Sequence, residues 1–596
     1  MIIQSILFPQ EDICTETELY YRHPSKQLGN KFLLPPNQTI SFDTYFNSFP
    51  IAQWKQYTSI DNLRLFLRIQ GKCTIELFEA TLVGGNVQKR ILASKEKSNQ
   101  EDSITIPFPD IANLNGACYF TISSQEEPCF ITGGYYSTEI DSSLISTIKI
   151  GIGICTYKRE TFVLKNLTAI QNAILDNSQS ELRDHLEIIV SDNGRTLQNY
   201  NYSHPKVKIV PNINAGGSGG FARCMLEAIS RSSDFHFTNL ILMDDDIILE
   251  PDVLARTYSF LRCLKNENRT KVLGGAMLKS ESMSEQAVNG CIWDIDKGVR
   301  FCKSNYDLSQ TSDVLKNLNE DGANFAPWFY CCFPMQHIRN NNLPLPFFFQ
   351  YDDTEFALRE PSSIILLNGI SVWHTFLNKD NMCKRYCQSK NSRIVKLLYG
   401  KTQNILRLKK ELCLMFINLV GTYRYLDWIA LSQAEIDLWR GSNNLRDKKT
   451  LLLCQKMIKK SNLLCKTDEI PPSASKYNVD QKDNGEWSIT KKITFAFSSL
   501  NTFFPKTRKN IIVDKPETLN PLKVRSVKKI YLKQDDSSYI IFQSNVRLFF
   551  TSVLQVVKIL LSSRPAPKKL QQDFLEDASA MQTFDFWEKY LLKQLH

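Results

Sequence analysis

The chain has 596 residues, of which 43% are hydrophobic and 22% charged, which excludes a single core and excludes a disordered polyelectrolyte; about two to four domains are expected. The formal net charge of +10 is unevenly placed: residues 1–400 carry 39 Lys+Arg and 43 Asp+Glu, and residues 401–596 carry 33 and 19. A basic, amphipathic last third suits an anionic membrane surface or a polyanion, against the plainer reading of solvated helix faces.

Residues 1–145 read as a β domain, a sandwich in form. Short apolar or alternating runs (Leu63–Ile69, Cys73–Leu77, Cys118–Ser123) are separated by turn signals such as Gly84-Gly85 and Pro107–Pro109. The first residues lack a basic segment ahead of a long apolar run, so no secretion signal is expected. Sixteen cysteines with neither CxxC pairs nor Cys/His zinc spacing fit reduced thiols in a cytosolic protein.

From Ile148 the pattern changes to strands alternating with helices, as in a parallel α/β sheet. Ile148–Cys155, Leu186–Val190, Val207–Val210 and Leu240–Met243 read as strands, with helices at Glu160–Leu175 and Gly220–Arg231. Ligands of such sheets sit at the carboxyl ends of the strands, and polar residues gather there. Asp244-Asp245-Asp246 follows the fourth strand; three adjacent carboxylates repel one another unless a cation offsets them. Oxygen ligands suit Mn²⁺ or Mg²⁺, and side-chain alternation makes Asp244 and Asp246 the natural pair. His374, ending a later strand Ile364–Val372, is placed to complete the shell. Thr156 and Arg159 follow the first strand, where a basic loop suits a pyrophosphate, and Asp192 ends the second, within reach of a ribose or base.

The run Asn214–Arg223 is glycine-rich without the Lys-Ser/Thr of a phosphate-binding P-loop; its glycines, Gly219 among them, suit either a ligand loop or a tight turn. Phe347–Phe356 brings Asp352, Asp353 and Glu355 to the start of a helix, whose dipole favours carboxylates and where a base for a sugar hydroxyl is expected. Trp328, Phe329 and Tyr330 offer flat apolar faces for a sugar, or simply core packing. From about residue 380 helices dominate, at Asn391–Tyr399, Gln403–Leu419, Leu426–Leu438 and Lys448–Leu464. Pro471-Pro472 marks a break, Lys523–Phe542 is β-like, and a last helical region ends the chain. Val546–Leu561, interrupted by Arg547 and Lys558, reads as a buried or interfacial helix rather than a membrane span.

Taken in order, Phe42–Phe49 with Trp54 and Tyr57, the Asn214–Arg223 run, Met243–Ile247, Asp352-Asp353 with Glu355, and Trp373-His374 resemble the inverting family 2 glycosyltransferases of GT-A fold. The closer resemblance is to bacterial galactofuranosyltransferases that use UDP-galactofuranose. The resemblance implies a β-sandwich at 1–145, a Rossmann-like α/β GT-A catalytic domain at 146–380, and a mainly helical region at 381–596 for assembly and membrane association. It implies Asp244, Asp246 and His374 as ligands of Mn²⁺ or Mg²⁺. Thr156, Arg159, Asp192, Asn214, Gly219 and Asp245 fall to the UDP-sugar site. Asp353 becomes the general base, with Asp352 and Glu355 in support, and Trp328, Phe329 and Tyr330 face the acceptor. The expected partners are a UDP-sugar and a glycan or lipid-linked glycan, at the inner face of the plasma membrane; self-association is left open and no nucleic acid is expected. The chain departs from the pattern at Phe329, where a second Trp is common, and at Cys387–Asn391, where Tyr-x-x-Arg-Asn is usual. A donor other than UDP-galactofuranose (another UDP-sugar or dTDP-rhamnose), a nucleotidyltransferase and a non-catalytic carbohydrate-binding protein are the rival readings.

Overall fold

A computed structural model describes residues 1–22, 26–28, 31–99, 101–230, 235–360, 364–375, 381–400, 405–462, 466–467, 474–477, 494–506, 509–514, 519–533, 539–561 and 566–592. The expected break at Pro471-Pro472 lies outside these residues.

The N-terminal part is two antiparallel sheets face to face. One holds Arg64–Gln70, Ser103–Pro107 and Cys129–Ser137; the other holds Cys73–Val83, Asn86–Lys97 and Ala117–Ser124. The strand Arg64–Gln70 alternates, with Leu65, Leu67 and Ile69 fully buried, as a half-covered strand must. Gly84 and Gly85, at φ 59° and 86°, make the tight turn between the two longest strands.

The central sheet begins with four parallel strands, Val207–Pro211, Leu186–Asp192, Ile150–Thr156 and Asn239–Asp244, hydrogen-bonded in that order. In chain order this is third, second, first, fourth. The direction of winding therefore reverses between Ile150–Thr156 and Asn239–Asp244, where a crevice opens at the strand ends. Tyr330–Pro334 and Val272–Lys279 extend the sheet antiparallel, and Ile364–His374 runs parallel to Val272–Lys279.

One contiguous apolar core runs from the sandwich into this sheet. The Phe42–Phe49 segment is the seam. Asn47 Nδ2 donates to the carbonyls of Leu7 and Tyr20, and Arg256 donates to Phe46 O at 2.8 Å and Ser5 O at 3.1 Å. The Phe46 ring lies 5.6 Å from that of Trp373. Gln53 grips the far strand at both ends of its amide, Nε2 donating to Leu366 O at 2.8 Å and Oε1 accepting from Asn368 N at 3.1 Å.

The last third is more mixed than its sequence pattern suggests. It contains helices Met382–Tyr399, Ile405–Gly421, Tyr425–Trp439, Lys449–Asn462, Val546–Leu561, Pro567–Met581 and Phe584–Leu592 and a five-stranded sheet with Lys529–Lys533 and Tyr539–Gln543; residues of Ile405–Gly421, Tyr425–Trp439 and Val546–Leu561 share an apolar core with that sheet. Among the described residues no helix is long and apolar enough to cross a membrane.

Candidate functional site

A cavity of about 580 Å³ opens beside the strand ends, within the size range of small-molecule sites. Asp244 lines one part of it; Asp352, Asp353, Trp328 and Phe329 line another. Residues more than 100 positions apart in sequence thus share one space.

The first acidic group sits where the winding reverses. Asp244 pairs in register with Cys155 at the end of the first strand. Asp244, Asp246 and His374 place ligand atoms within 4.8 Å of one another, with His374 Nε2 3.0 Å from Asp246 Oδ1. Arg159 forms ion pairs with Asp246 and, at 3.2 Å, with Asp245. Burial pushes Asp244 up to about 7, with the neighbouring carboxylates adding to it and His374 opposing. Burial acts the same way on Asp245. It would also raise Asp246, but the His374 hydrogen bond and the His374 and Arg159 charges outweigh it and hold Asp246 below the usual carboxylate range. Burial would lower His374; the bond to Asp246 and the two carboxylate charges win and push it up to about 9. Two carboxylates and an imidazole so close together could hold a divalent cation, with Asp244 the member whose negative charge such a cation would offset most.

The second acidic group begins the helix Asp352–Arg359. Ser218 Oγ donates to Asp352 Oδ2 at 2.9 Å, and Thr354 N to Asp353 Oδ1 at 2.6 Å. Among the described residues no cation lies within ion-pair distance of either carboxylate. Burial pushes Asp353 up to about 7, with the Asp352 charge adding to it, and raises Asp352 as well. A helix N-terminus favours a carboxylate by about 0.3–2 kcal/mol, and full burial shifts one by several pH units; here burial wins.

The loop ahead of this helix is strained. Phe348, Gln350 and Tyr351 have φ of 73°, 67° and 67°, in the left-handed region that costs a bulky residue energy and recurs at functional sites. Asn391 restrains it, its Nδ2 within 2.9 Å of both Phe349 O and Gln350 O. Gly216, at φ 73°, makes room: a Cβ there would stand 1.9 Å from Phe348 O.

The other residues expected at the site have neighbours of their own in this geometry. At Gly216, Gly219 and Gly220 the close approach is to protein. Gly219 faces Ala215, where a Cβ would lie at 2.3 Å, and a Cβ on Gly220 would meet Cys155 Sγ at 2.0 Å; it is Gly217 that borders the cavity. Tyr330 points away into the core, its hydroxyl 2.7 Å from that of Thr257, because strand alternation turns it opposite to Phe329. Glu355 is fully buried, paired with Arg359 one turn on and accepting from Tyr399 Oη at 2.9 Å, so it anchors the helix instead of facing the cavity. Asp192 spends both oxygens on its own turn, accepting from Gly194 N at 3.0 Å and Leu197 N at 2.8 Å. Asn214 caps the glycine turn, Oδ1 accepting from Gly216 N at 3.2 Å. Thr156 is buried at its strand end.

Lys297, Tyr351 and Gln388 also border the cavity and were not picked out from the sequence. Lys297 stands in the turn between the short strands Cys291–Asp294 and Gly298–Phe301. Its Asp-Lys-Gly signal names a turn without naming what the turn faces.

Fold and site together define an α/β protein with an Asp244–Asp246–His374 cluster that could hold a metal ion at the reversal point, and a second, buried acid pair on the cavity that Asp244 also lines. Residues 3–138 match the family model described as Galactofuranosyltransferase 2 N-terminal. The chain is 25% identical over 368 residues to Galactofuranosyltransferase GlfT2 of Mycobacterium tuberculosis, covering 56% of this chain and 54% of that protein. It is 24% identical over 398 residues to the protein of the same name from Mycolicibacterium smegmatis, covering 61% and 58%. By sequence the chain is GlfT2-like, as its motifs indicate, and it spans a little over half the length of these relatives. Among solved structures, the CBM22-1–GH10 modules of a Clostridium thermocellum xylanase overlap 32% of this chain and 38% of theirs at 8% identity, with a TM-score of 0.16.

Proposed function

We propose that the protein is an inverting, metal-dependent glycosyltransferase with a GT-A catalytic core, transferring galactofuranose from UDP-galactofuranose to a growing cell-surface or lipid-linked glycan. The observation that carries this reading is the shared cavity, with a base of pKa about 7 at Asp353 and the Asp244 end of the cation set in one space.

The acceptor hydroxyl lies against Trp328 and Phe329 and gives its proton to an Asp353 carboxylate oxygen. The oxygen attacks the anomeric carbon as the bond from that carbon to UDP breaks, and configuration inverts. No covalent enzyme intermediate is needed. Asp244, Asp246 and His374 would hold a divalent ion, which when bound would supply positive charge to offset the charge growing on the departing UDP. Arg159, beside that set, orients the diphosphate end, and Asp352 fixes the position of Asp353 through the shared first turn of the helix. Positioning two substrates in one closed space supplies much of the remaining acceleration.

An interfacial location accords with the helix Val546–Leu561. It exposes Val546, Phe550, Leu554, Val557 and Leu561, which recur at helical spacing along one stripe. That stripe and the basic last third fit peripheral attachment to an anionic leaflet at the cytoplasmic face.

The test is UDP release from the purified chain with UDP-galactofuranose, Mn²⁺ and a galactose-containing acceptor. Acceptor-dependent release that EDTA abolishes is the expected outcome. Release with a different nucleotide-sugar overturns the donor; pyrophosphate release identifies a nucleotidyltransferase; glycan binding without metal-dependent UDP binding leaves a carbohydrate-binding protein.

A further inference from the structure

We propose that Cys383, Cys387 and Cys454 form a second metal site, a buried three-thiolate centre for a thiophilic divalent ion, zinc, with Lys390 as its built-in counter-charge. Cys383 and Cys387 are one helical turn apart on Met382–Tyr399, so both face the same side; Cys454 meets them from Lys449–Asn462. All three are buried, their sulfurs lie within 4.8 Å of one another, and Cys387 Sγ is 3.5 Å from Cys454 Sγ. Thiolates around zinc at about 2.3 Å stand about 3.5–4 Å apart, so the cluster is within a small adjustment of ligating geometry.

The second observation is Lys390. It is 1% exposed, and its Nζ reaches only hydroxyls, Thr450 Oγ1 at 2.7 Å and Tyr386 Oη at 3.2 Å. Among the described residues no carboxylate lies within ion-pair distance of it. The Asp437 carboxylate stands one hydrogen bond away, accepting from Tyr386 Oη at 3.0 Å, so the ammonium has no direct ion pair; a buried ammonium compensated only at that remove is costly, and its place one turn beyond Cys387 puts it beside the thiol cluster. When zinc binds, three thiols lose three protons to solvent and three sulfur–zinc bonds form, leaving one net negative charge that one ammonium balances. A monovalent ion would leave two negative charges against one positive, so the charge count selects a divalent ion.

The centre would fasten the helix Lys449–Asn462 to the one that carries Gln388 and Asn391, and so stiffen the strained loop before Asp352. It does not depend on the transferase reading, because its test reads metal rather than turnover. The full chain, purified from zinc-supplemented medium and dialysed against EDTA to clear the open Asp244–Asp246–His374 set, is expected to retain about one zinc by elemental analysis. An organomercurial thiol reagent is expected to release it. Cobalt substitution is expected to give intense near-ultraviolet thiolate-to-cobalt absorption, lost in Cys387→Ser and in Cys454→Ser. The cobalt spectrum of the unaltered chain decides the matter if those variants do not fold. A metal-free chain with no cobalt–thiolate band, a Cys387–Cys454 disulfide in the reduced preparation, or copper in place of zinc would overturn the assignment.

Discussion

The two acidic groups of the cavity have similar composition and opposite surroundings. Asp244–Asp246 is met by cations, with Arg159 on two of its carboxylates and His374 on one of those. Asp352-Asp353 is met by a serine hydroxyl, a backbone N–H and a threonine, with no cation among the described residues. The difference teaches how one fold gives carboxylates two tasks. Where the positive partners meet most closely, at Asp246, the carboxylate is held ionised; where burial outweighs them, at Asp244 and Asp245, or acts without them, at Asp353, the carboxylate is lifted toward neutrality, and there Asp353 can take up and return a proton.

The largest effect should come from breaking the first group. Asp244→Asn with Asp246→Asn removes both oxygen anions, and metal-dependent UDP binding should disappear in calorimetry along with turnover. If UDP binds the double variant as before in the presence of Mn²⁺, the cation set has been misassigned. Breaking the second group should separate binding from chemistry. Asp353→Ala is expected to lower kcat by about 10²–10⁴-fold, the usual worth of a general base, while UDP affinity stays within about twofold of the parent because the variant touches only the proton acceptor. Full activity in Asp353→Ala would end its assignment as base.

Much of this contrast was legible in the sequence, and the reasons are local. Asp244-Asp245-Asp246 after an apolar run announces a strand end, and Trp373-His374 closing Ile364–Val372 announces another. Neither depends on distant packing, and the structure brings them together. What was not legible is which face a residue shows. Tyr330 and Glu355 belong to the right segments but point into the core, one by strand alternation and the other through its Arg359 pair. The glycines of Asn214–Arg223 signal close approach correctly. Sequence does not say that what approaches is the carbonyl of Phe348, over 130 residues away. In the last third the β-like stretch Lys523–Phe542 signals the strands Lys529–Lys533 and Tyr539–Gln543, whereas the other three strands of that sheet are two to four residues long, too short for a period-2 pattern to show.

The contrast also predicts a pH profile. If the Asp352-Asp353 pair carries the base, kcat/KM rises with pH through an apparent value of about 7, the position to which burial lifts Asp353. Below it the carboxyl is protonated and cannot accept the hydroxyl proton, so the rate should fall about tenfold per pH unit. The apparent value belongs to the pair and not to one residue. A profile flat from pH 5 to 8 under saturating Mn²⁺ would place the base elsewhere.

The smallest expected effect tests the pair from its edge. Ser218 Oγ donates to Asp352 Oδ2, and a hydrogen bond to an ionised group is worth about 1.5–3 kcal/mol, or about one to two pH units at 1.36 kcal/mol each. In Ser218→Ala the charged form of Asp352 loses that support, so its protonated form gains. Asp352 then repels a charge on Asp353 less, which lowers the Asp353 value even as the Asp352 value rises. The two shifts oppose, and the acid limb should move by less than about one unit while the plateau rate at high pH is retained. A plateau that falls as far as in Asp353→Ala would show that Ser218 acts on the chemistry directly. A limb that stays at about 7 with an altered KM for the acceptor would show that Asp352 positions substrate and leaves the ionisation of Asp353 to burial alone.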